Sequence, residues 1–371
     1  MRFALTSDQA ALREAVRDLL RAECPPAAVR AGWPGEPEAD PARVRSIWSQ
    51  LTEMGVVGAA VPEEAGGLGL DACAIVGMLE EAGRAALPLP IVETAFVAAP
   101  LLAETSGHGD SVERLLGGDL LVGAALDGSG LVPYATVADL LLVGDARPGA
   151  AQPGEPEDGE RRAGDGGRPR RDGGEGFGVV LLDPGEATAV AAVDGARAPG
   201  RVDLAGGDGT PLDVDAAALG RAWERGVLGS AAQLVGLSRT LLAMAVDYVQ
   251  ERRQFGVAIG TFQAVKHHLA NALLALEFAA PAVLRAAWSL DEGSPHAGRD
   301  VAMAKALASD AAEQVAATAL QVHGAIAYTV EYDLHLFAKR VWAGSRAWGD
   351  ADWQRARIAA ALGLTREGAL R

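Results

Sequence analysis

Few side chains in this sequence have the type and spacing needed to bind a metal ion. His267 and His268 are adjacent on a predicted helix, so their rings point in different directions, which is poor geometry for two ligands of one ion. Cys24 and Cys73 are the only cysteines, too few for a disulfide framework or a four-ligand zinc site. The sequence therefore predicts no metal site, and a reducing cytoplasm as the protein's location.

Glycine-rich and nucleophile motifs are also missing from the sequence. There is no Gly-x-x-x-x-Gly-Lys-Ser/Thr loop to cradle phosphates, and Gly66, Gly67 and Gly69 lack the Gly-x-Gly-x-x-Gly spacing of a dinucleotide fold. No Gly-x-Ser-x-Gly segment marks a hydrolase nucleophile, although residue types alone leave a Ser-His-Asp triad open. These absences argue against an NTPase and a nicotinamide-dependent Rossmann enzyme.

Charge and hydropathy narrow the classes of partner. The 371 residues include 33 Lys plus Arg and 49 Asp plus Glu, a net charge of −16, which disfavours nucleic acid because its phosphates require clustered cations. No window approaches the ~20 consecutive apolar residues of a membrane span. The first residues lack the basic and apolar regions of a secretory signal. We therefore expect neither nucleic-acid nor membrane partners, and any anionic ligand must be held by local donors.

Hydrophobic spacing predicts a mainly α fold with a small β domain. Apolar residues recur at helical spacing in the first third, where Thr6 and Gln9 form a predicted capping box, and again from about Ala216 onward. Between them, short apolar runs predict strands at 120–126, 137–143, 177–182 and 189–193. The domains are predicted as an N-terminal α-helical domain at 1–118, a central β domain at 119–215 with a disordered loop at 144–178, and a C-terminal helical bundle at 216–371.

The first third and the last third each contain several predicted helices. In the first third they are a helix that ends at Pro25 and Pro26, a helix at 44–54 and a helix at 71–86. In the last third they are a long helix that carries Val235 to Val249, a helix from Thr261 that is kinked at Pro281, and helices at 300–323 and 352–362.

Three segments taken together indicate a specific protein family. They are VPEEAGGLGL at 61–70, ERRQFGVAIGTFQAVKHHLAN at 251–271 and ALQVHGAIAYTVEYDLHLFAKR at 319–340. In these segments, and in the order of helices, strands and helices across nearly the whole chain, the sequence resembles the acyl-CoA dehydrogenase family. The resemblance implies an N-terminal helical domain, a β-barrel-like central domain and a C-terminal four-helix bundle. It also implies FAD as cofactor and an acyl-CoA thioester as substrate.

The resemblance also implies which residues contact FAD. Near the cofactor's pyrophosphate they would be Arg252, Gln254 and Phe255, followed by Phe262 and Gln263. A second subunit would offer Gln321, Val322, His323, Gly324 and Ala325 to the nucleotide half. Arginine suits such a site because its guanidinium offers a fixed fork of donors to phosphate oxygens. The alternative for the second segment is an ordinary capped helix end.

The position of the family's catalytic base is the first departure from the family pattern. Family members remove the α-proton of the acyl group with a glutamate, while a hydride passes from the β-carbon to the flavin. A gapless match from Gln321 places Trp348 at the usual position of this glutamate, and a gapless match back from Arg252 places Gly226 at the other known position. Neither side chain accepts a proton. Glu224 would serve only after a two-residue insertion, and Asp350 only along a different loop path.

The second departure lies in the β domain. Relatives carry Thr-Glu-Pro and Gly-Ser-Asp segments that wrap the flavin, whereas this sequence passes almost directly from one predicted strand to the next. Gly128, Ser129 and Gly130 are the remnant of that region. Flavin contacts on this side are therefore expected to be reduced.

These departures lead to three functional hypotheses. The first is a base-lacking subunit of an α2β2 acyl-CoA dehydrogenase, similar to those of actinobacteria that act on steroid side-chain thioesters, whose homologous partner supplies the glutamate. The second is a self-sufficient homotetramer that uses Glu224. The third is a non-catalytic scaffold that binds an acyl-CoA or a protein. By resemblance, an electron-transferring flavoprotein is the expected electron acceptor of the first two.

Overall fold

Helices at both ends of the chain enclose a small set of strands in the computed structural model, which describes residues 6–144, 179–203 and 209–364. The helices before the strands are α1 (Ser7–Glu23), α2 (Pro26–Ala31), α3 (Pro41–Glu53), α4 (Ala72–Arg84), α5 (Ala99–Ala103) and α6 (Gly109–Leu116). A π-helical segment at Val92–Ala98 leads directly into α5. The mainly α fold class is thereby confirmed, whereas the three domain boundaries stay predictions.

The start of α1 follows the predicted capping box. The Thr6 hydroxyl accepts a hydrogen bond from the Gln9 backbone N–H at 3.2 Å, and the Gln9 side chain accepts one from the Thr6 N–H at 3.0 Å. The predicted stop of this helix at Pro25 and Pro26 agrees with the structure. The helix ends at Glu23, and Pro26 begins α2, because a residue without an N–H fits the first position of a helix.

The described strands between residues 122 and 212 form two small sheets. They are β1 (Val122–Ala125), β2 (Leu131–Val132), β3 (Leu140–Gly144), β4 (Val179–Leu182), β5 (Thr188–Ala189), β6 (Gly200–Arg201) and β7 (Thr210–Leu212). One sheet has the order β1-β3-β4-β7, with β1 and β3 parallel and the other pairs antiparallel, and the second has the order β2-β6-β5. The register pairs Val122 with Leu140 and Leu142 with Leu181.

Two sequence predictions in this region require comment. The strand predicted at 189–193 is wrong beyond Ala189, because the chain leaves the sheet and turns at Gly195–Arg197, where the Asp194 carboxylate accepts from the Ala196 N–H. Gly144 of the loop predicted at 144–178 ends β3, and the rest of that loop, including Phe177, lies outside the described residues.

Helices return after the strands. They are α7 (Ala216–Glu251), α8 (Gln263–Asp291), α9 (Ala297–His323), α10 (Leu334–Arg346) and α11 (Ala351–Ala361), with a hairpin of β8 (Arg253–Gln254) and β9 (Val257–Ala258) between α7 and α8. α8 continues through Pro281. α10 has no counterpart among the helices predicted from spacing, and it is the helix that leads to Trp348.

α4 and α7 cross with their backbones in contact. A Cβ atom on Gly236 would lie 1.9 Å from the Glu80 carbonyl oxygen, and one on Gly83 would lie 2.2 Å from the Gln233 carbonyl oxygen. Glycine at both positions therefore permits this close approach. The crossing fixes α7 against the N-terminal helices, and α7 in turn carries Trp223 and Gly226 to the site described below.

By length and hydropathy alone, α7 and α8 could each cross a membrane. Buried core helices of water-soluble proteins pass the same test, so two such helices are weak support for a span. In α7, 67% of the apolar window is buried, whereas in α8 only 28% is buried. Most of the apolar surface of α8 is therefore not covered by other elements of the described chain.

Candidate active site

A cleft of about 380 Å³ opens between the strands and the C-terminal helices. One wall is formed by the end of β1 and the loop after it, including Asp127 and Ser129, and by the segment 192–199. The other is formed by Trp223 of α7 and by the last two turns of α10 through Trp348. Ser129, from the predicted remnant of the flavin-wrapping region, thus lies at the cleft.

Trp348 closes the floor of this cleft. Its backbone has a φ of 58°, in the left-handed region that is costly for a bulky residue, and Gly349 follows with a φ of 84°. The indole is buried and makes an edge contact with Trp223, with ring centroids 5.5 Å apart. The loop therefore keeps a strained conformation that points a large aromatic ring into the cleft.

The two positions at which the family's base would be expected are in direct contact. A Cβ atom added to Gly226 would lie 2.5 Å from ring carbons of Trp348, so the indole occupies the space that a side chain at position 226 would need. The Trp348 ring therefore excludes an acid at position 226 unless the loop moves. Neither Trp348 nor Gly226 has a group that titrates as a carboxylate.

Gly226→Ala is expected to destabilise the fold by about 1–3 kcal/mol, because the new methyl group overlaps the Trp348 ring. Gly220→Ala is the matched control on the same helix, since a Cβ there meets nothing within 4 Å. The control should raise stability by up to about 1 kcal/mol through helix propensity. Urea unfolding measures both, and equal effects at the two positions would contradict the described contact.

Glu224 faces away from the cleft. Its carboxylate pairs with Arg357 of α11 and lies 3.3 Å from the position of a Cβ on Gly298, at the start of α9. Burial raises the pKa of Glu224, and the positive charge of Arg357 opposes that rise. Asp350 is also engaged, because its carboxylate accepts from the Trp353 N–H at 2.9 Å as the N-cap of α11. Neither Glu224 nor Asp350 lines the cleft.

Two buried ion pairs lie beneath Trp348. Glu93, on the π-helical segment, lies 3.4 Å from Arg197, and Asp194 pairs with Arg340, which also donates to the Leu87 carbonyl at 2.7 Å. Burial raises the pKa of Glu93, against the lowering effects of Arg197, Arg340 and a hydrogen bond from Trp348.

Sequence reasoning did not identify Glu93 as a site residue. The signal was available, since it is the single charged residue in the apolar run PIVETAFVAAP.

The residues predicted to contact the FAD pyrophosphate lie together in an exposed hairpin region, which comprises β8, β9 and the flanking residues Arg252, Phe262 and Gln263. Phe255 and Gly256 both have positive φ, of 52° and 82°, and form the two-residue turn between β8 and β9. Phe255 is 92% exposed, and its ring contacts that of Phe262 edge-on. Arg252, Gln254 and Gln263 are exposed as well, and Arg252 forms no ion pair within the described residues. The hairpin region therefore presents a free cation and two aromatic rings outward.

The second predicted FAD segment, 321–325, contains one residue with a clear structural role. His323 is buried, its two ring nitrogens lie 2.7 Å from the Ala319 carbonyl and 3.1 Å from the Tyr332 hydroxyl, and its ring stacks on Tyr248. Burial lowers the pKa of His323. Gly324 then adopts a φ of 66° and a ψ of −140°, which favours glycine. Gln321, Gly324 and Ala325 are exposed, and Val322 is half-buried.

Tyr248 links the two predicted FAD segments. It stacks on His323, and its carbonyl accepts the hydrogen bond from the Arg252 N–H at 2.8 Å that ends α7. His267 and His268 are both exposed. Among the residues that the structure describes, no group of three or more His, Cys, Asp or Glu could hold a metal ion.

Two family models match the sequence outside the β region. The model described as "Acyl-CoA dehydrogenase, N-terminal domain" matches residues 6–107, and the one described as "Acyl-CoA dehydrogenase, C-terminal domain" matches residues 217–363. The chain is 30% identical over 330 residues to acyl-CoA dehydrogenase IpdE2 of Mycobacterium tuberculosis, covering 89% of each chain. It is 28% identical over 363 residues to IpdE2 of Mycolicibacterium smegmatis, covering 96% of this chain and 99% of the relative.

Solved structures share the fold over almost the whole chain. The ChsE4-ChsE5 complex from Mycobacterium tuberculosis matches with a TM-score of 0.78 and 26% identity, covering 98% of this chain and 100% of that chain. A "Tcur3481-Tcur3483 steroid ACAD G363A variant" matches with a TM-score of 0.80 and 24% identity, covering 98% and 99%. At that identity the second match shows the fold alone.

Proposed function

The chain belongs to the acyl-CoA dehydrogenase family, and from this premise we propose that it is a subunit without its own catalytic base. It would assemble with a homologous subunit, in an α2β2 complex, for the α,β-dehydrogenation of an acyl-CoA thioester. The partner would supply the glutamate, and this chain would contribute to a shared FAD site. The observation that carries this proposal is the contact between Trp348 and Gly226, because these two residues occupy both positions at which the base is expected.

The residues of the exposed hairpin region fit the nucleotide half of FAD. Arg252 offers a guanidinium that forms no ion pair with another described residue, which suits phosphate oxygens, and Phe255 and Phe262 offer exposed rings. Bound FAD would supply the acceptor for the hydride from the substrate. The cleft beside Trp348 fits the flavin half less well, since Asp127 brings a carboxylate to its wall and few strand residues remain to wrap a ring.

An uncovered apolar surface on α8 supports assembly with another chain. Leu273, Leu274 and Phe278 are 45%, 56% and 73% exposed on this helix, and Met303 and Leu307 are exposed on the adjacent α9. Apolar patches of this kind mark protein interfaces. The relative from Mycobacterium tuberculosis whose structure is a complex of ChsE4 with ChsE5 supports a second, different chain as the occupant.

Co-expression with a homologue that carries the glutamate tests the proposal. The chain alone should hold little FAD, and the co-purified complex should be yellow and oxidise an acyl-CoA. A homotetramer that binds FAD and oxidises an acyl-CoA without a partner would overturn the proposal in favour of self-sufficiency. Absence of FAD from both preparations would overturn it in favour of a scaffold.

Within the complex, Arg252→Gln is expected to weaken FAD binding about 10- to 100-fold, because a charge-assisted hydrogen bond is worth about 1.5–3 kcal/mol. Arg253→Gln is the neighbouring control, since successive residues of an extended strand face opposite sides. Flavin content after dialysis against a series of FAD concentrations gives both values. Equal losses for the two variants would contradict the assignment of Arg252.

A further inference from the structure

The mouth of the cleft keeps an apolar surface that the proposed function does not use. Trp342 is 39% exposed, Leu131 40% and Val193 56%, and all three line the cleft. Trp342 comes from α10, whereas the other two come from the strand side, so the apolar groups stand on both walls. Large apolar side chains gathered in one concave surface indicate a ligand with an apolar body.

A cation lies beside this surface. Arg346 lines the same cleft one helical turn after Trp342, which places the two side chains on one face of α10. Its guanidinium forms no ion pair within residues 6–144, 179–203 and 209–364. The other cation of the cleft, Arg197, is engaged with Glu93, and the Asp194 carboxylate is engaged with Arg340. Arg346 is therefore the cation left for an anionic ligand.

The floor of the cleft limits what can happen to a ligand there. Trp348 and Trp223 close it in edge contact, and the two carboxylates on its walls are held by groups of this chain: Asp194 pairs with Arg340, and Asp127 accepts from the Ser129 N–H and hydroxyl at 3.1 and 2.7 Å. A ligand on the indole surface of the floor therefore meets no carboxylate that is placed to remove a proton from carbon. Indole rings favour planar or alicyclic groups through large contact areas.

We propose that this cleft binds a small amphipathic carboxylate and does not transform it. The ring-shaped apolar body packs against Trp342, and the carboxylate accepts a forked pair of hydrogen bonds from Arg346. The inference goes beyond the proposed function, because it concerns this chain's own cleft rather than the FAD shared with a partner. Its test requires neither flavin nor turnover, so the two proposals can fail separately.

Titration calorimetry on the full chain, in the assembly in which it purifies, tests the proposal with 2-naphthoate and its neutral analogue 2-naphthylmethanol. Naphthoate should bind saturably at one site per chain and more tightly than the alcohol. Arg346→Gln should weaken naphthoate binding about 10- to 100-fold and leave the alcohol unchanged. Trp342→Ala should weaken both ligands, since both lose the same ring contact.

Arg114→Gln, at an exposed arginine of α6, is the control for loss of one surface charge and should change neither titration. Equal affinity of naphthoate for the wild type and Arg346→Gln would overturn the proposal. Absence of saturable binding to the wild type would also overturn it, since the cleft would then be covered in solution. Circular dichroism of each variant shows that lost binding does not reflect lost folding.

Discussion

Glu224→Gln is expected to leave turnover per bound flavin unchanged in the assembled complex, whereas glutamine in place of the partner subunit's base lowers turnover about 10²–10⁴-fold. The 10²–10⁴-fold loss is the usual contribution of a positioned general base. Glu224 has no such role in the proposed complex, because its carboxylate pairs with Arg357 and faces α9 and α11. Steady-state oxidation of an acyl-CoA, normalised to flavin content, measures both variants.

Stability must be separated from turnover in this comparison. The Glu224–Arg357 pair is half-buried, and loss of the carboxylate leaves the Arg357 charge without its partner, so Glu224→Gln is expected to lower the urea midpoint of the complex. Arg357→Met, which breaks the same pair from the other side, is the matched control and should lower the midpoint similarly. A fall in turnover with Glu224→Gln, without a similar fall with Arg357→Met, would identify Glu224 as the base and contradict the proposed subunit arrangement.

The helical spacing was sufficient to locate most helices of the fold. It missed the helical stretch Val92–Ala103, which contains Pro100, a residue type that usually breaks a helix. Pro100 lies inside this continuous stretch, just after the π-helical segment passes into α5, and the helix continues through it. It also missed α10, although Leu334, Phe337, Ala338 and Val341 recur at helical spacing and are buried where the helix packs on α7 and α9.

Only part of the candidate site could be predicted from the sequence. Matching the family motifs without gaps placed Trp348 and Gly226 at two separate base positions. It did not reveal that the two residues touch, because α7 and the loop after α10 are more than 100 residues apart in the chain. The contact depends on a left-handed backbone at Trp348, which no propensity of tryptophan predicts.

The stability of the folded chain is expected to rise between pH 7 and 8.5 because of Lys305. Burial lowers the pKa of this lysine to about 7, against an ordinary value near 10.5, although its ammonium donates to the Gly344 and Ser345 carbonyls at 3.1 and 2.9 Å. Above pH 7 the folded chain releases this proton and the unfolded chain keeps it. The unfolded state then binds more protons, so the free energy of unfolding increases with pH.

Urea unfolding at pH 7.0, 7.75 and 8.5 measures this slope, and each pKa unit of difference between the states corresponds to about 1.4 kcal/mol. Lys305→Met should abolish the rise, and Lys266→Met, at an exposed lysine of α8, should retain it. The window ends below pH 9 because burial raises the pKa of Cys24 and of Tyr134 to about 12, which gives the opposite slope once these groups ionise in the unfolded chain. An equal rise in the wild type and Lys305→Met would assign the effect to another group.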